Sequence, residues 1–172
     1  FLNKNLVLTG MMGVGKSTIG FSVSKKLKMN FIDVDKMIEE KEKSTINQIF
    51  KNKGEKYFRE IEEEMTLSKI KNDNTLIALG GGAFINEKIR DAVIQSCISF
   101  WLDLDIKLIE GRLKGSKKRP LAKEVDLYNS LNKIYLNRKA KYELANHKIN
   151  CNENNQNTIM KKIIDLYEND CN

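Results

Sequence analysis

The chain has 172 residues, 41% apolar and 31% charged, with 30 basic against 23 acidic side chains for a formal charge of +7. That length supports one sizeable core, so a single domain is expected over residues 1–172, and no stretch approaches the roughly 18 unbroken apolar residues of a membrane span. The basic residues are dispersed rather than striped among aromatics, which argues for small anionic ligands and against nucleic acid or a membrane as partner.

The first apolar run, Leu6-Val7-Leu8, reads as a buried strand that the chain enters without a signal-peptide pattern; a cytoplasmic location is expected. It leads into Gly10-Met11-Met12-Gly13-Val14-Gly15-Lys16-Ser17-Thr18 and then a helical pattern, the context of a phosphate-binding loop. In such a loop, glycines let consecutive N–H groups turn toward an anion, and the following helix presents its positive end. Gly13, Val14, Gly15, Lys16, Ser17 and Thr18 are therefore assigned to a nucleoside triphosphate. Lys16 reaches its β and γ phosphates, and the Ser17 hydroxyl serves Mg²⁺.

A second strand, read from the run 31–34, ends in Asp33-Val34-Asp35, and strand periodicity sends both carboxylates the same way. Two carboxylates facing the phosphates suit a division of labour: one holds Mg²⁺ through water and the other orients or deprotonates an acceptor hydroxyl. Asp33 is favoured for the metal, with Asp103 or Asp105 read as a cap on the helix that follows the fourth strand. Residues 36–74 are too long for one crossover helix. Their patterning predicts helices at 36–43, 45–51 and 55–71, with Ser44 as an N-cap and Gly54 as a break, and hence an inserted helical region. Arg59 lies in the last of these helices.

A third strand at 76–79 runs into Gly80-Gly81-Gly82, where bare backbone admits close approach by a ligand. A fourth strand is read at 98–102 and a fifth near 148–151, with a closing helix at about 158–167. Between them a basic, poorly periodic segment at about 114–126 is a candidate lid. It holds Lys114, Lys117, Lys118, Arg119 and Lys123, together with Pro120, the sole proline. The cysteines Cys97, Cys151 and Cys171 are odd in number and lack Cys-x-x-Cys spacing, which opposes a disulfide framework or a thiolate zinc site. Short strands alternating with helices give an α/β fold: a five-stranded, mostly parallel sheet between helical layers, with ligands at the carboxyl ends of the strands.

The phosphate loop alone leaves several nucleotide-using classes open. A guanine-reading Asn/Thr-Lys-x-Asp element is absent, and the chain is short for a motor ATPase, which leaves small-molecule kinases, including those acting on gluconate or nucleoside monophosphates. A non-catalytic nucleotide-binding regulator is the alternative from another class. The chain closely resembles the shikimate kinases over about residues 5–150, through its Gly-Met-Met-Gly-x-Gly-Lys-Ser-Thr loop, Asp33-Val34-Asp35, Ile46 to Phe50, Gly54-Glu55, Phe58-Arg59-x-x-Glu62, Gly80-Gly81-Gly82, Arg119-Pro120-Leu121 and Arg138-x-x-x-Tyr142. The resemblance implies a monomeric P-loop kinase fold that transfers the γ-phosphoryl of ATP to the 3-hydroxyl of shikimate.

By the same resemblance, Asp35 binds the ring hydroxyls and is the candidate base, and Asp33 reaches Mg²⁺ through water. Arg59 and Arg138 clamp the shikimate carboxylate, Glu62 holds Arg59, and Gly81 and Gly82 line the site. Arg112 stacks on adenine, and Arg119 closes over the phosphates. One departure concerns the loop after the fifth strand, where an Arg- and Pro-containing adenine loop is common in the family and Asn150-Cys151-Asn152-Glu153-Asn154-Asn155 stands here.

Overall fold

A computed structural model describes residues 4–115, 126–152 and 155–171. Its sheet has five parallel strands: β1 (Asn5–Thr9), β2 (Asn30–Asp33), β3 (Thr75–Ala78), β4 (Cys97–Asp103) and β5 (His147–Asn150), in the order β2-β3-β1-β4-β5. β1, β3 and all of β4 but its last residue are buried, as their unbroken apolar runs require of strands covered on both faces.

The helices are α1 (Lys16–Leu27), α2 (Val34–Glu42), α3 (Ile46–Ile70), α4 (Glu87–Ser96), α5 (Ile106–Lys114), α6 (Leu127–Tyr142) and α7 (Gln156–Cys171). α1 seats against the sheet at Gly20, where a Cβ would come within 2.8 Å of Phe31 and 3.0 Å of Leu76. The chain leaves β1 for β2 and β3 on one side and then crosses to β4 on the other. The crevice at the carboxyl end of β1 is thus a topological switch point, the place where such sheets bind ligands. Among the described residues no helix is long and apolar enough to cross a membrane.

Three local expectations change. β2 stops at Asp33, whose carboxylate accepts the Lys36 N–H at 3.2 Å and caps α2, so Asp35 lies in the first helical turn and the alternation of a strand does not relate the two carboxylates. α3 is capped by Thr45 and not Ser44: Thr45 and Gln48 form a reciprocal capping box. The helices expected at 45–51 and 55–71 follow each other directly, with Gly54 at φ 82°, ψ 168° kinking the chain between them. Only glycine takes that conformation without strain.

Candidate functional site

The loop between β1 and α1 turns on Gly10, Gly13 and Gly15, all at positive φ. α5 packs beneath it, with Ile109 and Leu113 against Gly13, and Arg112 Nη1 donates to the carbonyls of Gly13 and Val14 at 3.2 and 3.1 Å. Lys16 is buried, and its Nζ donates to the Gly10 and Met11 carbonyls at 2.8 Å each, which holds the ammonium inside the curve of the loop. Ser17, Thr18 and Asp33 line one cavity of about 680 Å³ with Lys36 and Glu40.

Asp35 goes elsewhere. A Cβ built on Gly80 would lie 2.7 Å from Asp35 Oδ1 and 2.5 Å from Glu62 Oε1, so both carboxylates press on the first glycine of the triplet. The second glycine faces the phosphate loop, its Cβ position 3.1 Å from the Met12 nitrogen. The third faces Arg59, whose guanidinium atoms would be 2.7–2.9 Å from a Cβ on Gly82. Each glycine of the triplet is small because a different side or main chain comes to it. Together they form a floor on which Asp35, Glu62, Arg59 and the loop meet.

Arg59 Nη1 donates to Glu62 Oε2 at 2.7 Å, and Glu62 is only 2% exposed. Burial raises the Glu62 pKa, Arg59 opposes that rise, Asp35 adds to it and Arg138 opposes it. From α6, Arg138 Nη1 donates to the Gly81 carbonyl at 2.9 Å, and the Tyr142 hydroxyl donates to the same oxygen. Tyr142 is fully buried, stacks on Trp101 with ring centres 5.9 Å apart, and has its pKa raised by burial.

The structure therefore gathers Asp35, Arg59, Glu62, Gly80, Gly81, Gly82 and Arg138 in one place. Gly13, Val14, Gly15, Lys16 and Arg112 sit on the adjoining loop, and Ser17, Thr18 and Asp33 line the cavity beside it. Arg119 and most of the expected lid fall at 116–125, outside the described residues. Of the two candidate caps, Asp105 caps α5 by accepting the Lys107 N–H at 2.7 Å. Asp103 instead accepts from Tyr135 at 3.1 Å and pairs with Lys148 at 3.0 Å. Sequence reasoning gave Tyr142 no role of its own; the available signal was its place four residues beyond Arg138, on the same helical face.

The family model described as shikimate kinase matches residues 12–168. A shikimate kinase of Bartonella henselae is 38% identical over 162 residues, covering 94% of this chain and 77% of that protein. One from Sulfurihydrogenibium sp. is 36% identical over 161 residues, covering 94% and 96%. The solved shikimate kinase of Acinetobacter baumannii, in complex with shikimate, superposes with a TM-score of 0.91 at 30% identity, covering 97% of this chain and 94% of that one. A gluconokinase of Sinorhizobium meliloti reaches a TM-score of 0.58 at 12% identity, which is a likeness of fold alone. With the glycine triplet and its ring of carboxylates and arginines set against the phosphate loop, and with matches of this extent, the chain belongs to the shikimate kinase family.

Proposed function

We propose that this chain transfers the γ-phosphoryl group of ATP to the 3-hydroxyl of shikimate, giving shikimate 3-phosphate and ADP. The observation that carries this reading is the meeting of Arg59, Arg138, Glu62 and Asp35 over Gly80–Gly82, directly against the phosphate loop. Two guanidinium groups suit a carboxylate, and Asp35 suits a ring hydroxyl that must lose a proton. Family membership and the shikimate bound to the Acinetobacter baumannii enzyme support the choice of acceptor.

In this reading ATP lies along residues 13–18, with Lys16 leaving its loop carbonyls for the β and γ phosphates and Arg112 flanking the adenine. Ser17 and Asp33 offer hard oxygen donors on the wall of one cavity, a set that fits Mg²⁺. Among the described residues no group of three or more His, Cys, Asp or Glu side chains could by itself hold a metal ion, so water and phosphate oxygens would complete the shell. When bound, Mg²⁺ supplies charge neutralisation on the phosphates.

Arg59 and Arg138 anchor the acceptor carboxylate and so fix which hydroxyl faces the γ-phosphate. Asp35 takes the proton as that hydroxyl oxygen attacks phosphorus and the bond to the β-phosphate oxygen breaks. Arg119 keeps the role that the resemblance implies, neutralising charge on the transferring group. The test is ADP release with ATP and Mg²⁺ over a panel of shikimate, quinate, gluconate and nucleoside monophosphates. Turnover with shikimate is expected; turnover with another acceptor alone, or with none, overturns the reading.

A further inference from the structure

Arg59 is held from two sides. Its Nη1 meets the buried Glu62 at 2.7 Å, while its Nε and Nη2, the two donors of its outer edge, both reach Glu55 Oε1 at 3.3 Å. The two carboxylates differ in freedom, since the Glu55 side chain is 66% exposed and that of Glu62 only 2%. Glu55 stands where it does because Gly54 breaks α3 immediately before it. The helix that carries Arg59 and Glu62 thus restarts at Glu55, and an acidic residue there is favoured by the helix dipole.

We propose that Glu55 is an internal competitor for the acceptor carboxylate: it occupies the outer edge of Arg59 that the acceptor's own carboxylate must take, and thereby sets the affinity for acids. This rests on the functional reading above. The Nε and Nη2 edge of a guanidinium is a natural fork for a carboxylate, and Nη1 is committed to a buried partner. An incoming acid therefore exchanges with Glu55, not with Glu62. The exchange is cheap because an exposed i,i+4 pair contributes little net free energy. It is also selective, because an acceptor without a carboxylate gains nothing from displacing Glu55 and leaves Arg59 paired as before. The short contact to the buried Glu62 keeps the guanidinium in place while its outer partner changes.

The test is calorimetric titration of shikimate, and separately of shikimate methyl ester, into the wild-type chain and Glu55→Gln. The variant is expected to bind shikimate about two- to fivefold more tightly, with the gain shrinking as salt is raised and with no gain for the ester. Affinity for shikimate that is unchanged or weaker in the variant, or an equal gain for the ester, overturns the role of Glu55. A wild-type chain that does not bind shikimate overturns the functional reading itself.

Discussion

Arg138 and Tyr142, one helical turn apart on α6, donate to a single acceptor, the carbonyl oxygen of Gly81. The arginine comes to that oxygen from the half-buried mouth of the site, and the tyrosine comes from the core, where Trp101 and Met11 enclose its ring and hydroxyl. Tyr142 thus fixes the oxygen that orients Arg138. Removing its hydroxyl leaves the packing and deletes the bond to Gly81 together with the weak contact to the Met11 sulfur, a loss of about 1 kcal/mol or roughly fivefold in affinity. Tyr142→Phe is expected to raise the KM for shikimate by about that factor while leaving kcat and the KM for ATP near wild type. Steady-state kinetics check this, and a fall in kcat at unchanged KM would assign Tyr142 to the chemical step.

The glycine triplet predicts unequal outcomes for neighbouring substitutions. A Cβ at position 82 meets the far end of the Arg59 side chain, which must shift against its bond to Glu62, so Gly82→Ala should lose acceptor affinity with a smaller loss of stability than a substitution at position 80. Misplacing a substrate-positioning group by about 1 Å costs up to roughly a hundredfold in rate, so turnover should fall as well. A Cβ at position 80 meets Glu62 and Asp35, and Glu62 is buried with nowhere to go. Gly80→Ala should therefore lose stability as well as activity. Thermal unfolding alongside kinetics separates the two; a Gly82→Ala protein as unstable as Gly80→Ala would show that Arg59 is rigidly held.

β1, β3 and β4 were legible because each carries an apolar run bounded by polar or glycine residues, and burial on both faces leaves that mark, whereas the edge strands β2 and β5 are only partly buried and carry weaker runs. Their order in the sheet was not: nothing in Leu76 or Ile98 says that β3 and β4 both flank β1. The break at Gly54 was visible, but the cap moved from Ser44 to Thr45 because two adjacent hydroxyls compete and only Thr45 has Gln48 three residues on. That Asp35, Arg59, Glu62 and Arg138 gather about Gly80–Gly82 was expected from the resemblance to the family, whereas the reason for each glycine in 80–82 was not legible, since it lies in side chains from α2 and α3 and in the phosphate loop. Asp33 and Asp35 looked like a pair on a strand; the cap at Asp33 turns the chain into a helix and separates them.

Arg112 donates to the carbonyls of Gly13 and Val14, so it supports the phosphate loop whatever it does for adenine. The two contributions separate with inorganic tripolyphosphate, which has no base to stack. Arg112→Ala is expected to weaken ATP and tripolyphosphate alike, by about fivefold if one hydrogen bond's worth of support is lost. Competition binding measures both. Weakening of ATP alone would place the whole effect on the adenine.

Glu62 gives stability a specific pH dependence. Its pKa in the folded chain lies above the ordinary 4.5, because burial outweighs the pull of Arg59 and Arg138. Well below 4.5 the carboxyl is protonated in both folded and unfolded chains, and stability does not change with pH through this group. As pH rises past 4.5 the unfolded chain releases the proton first, the folded chain still holds it, and stability falls until the folded group has also ionised. Glu62→Gln lacks this titration. The stability of wild type minus that of Glu62→Gln, from urea unfolding across the acid range, should therefore decline with rising pH through that window and level off above it. A difference that grows with pH would mean that Arg59 holds the carboxylate more strongly than burial penalises it, and Glu62 would then be a net stabilising ion pair rather than a buried charge kept for the orientation of Arg59.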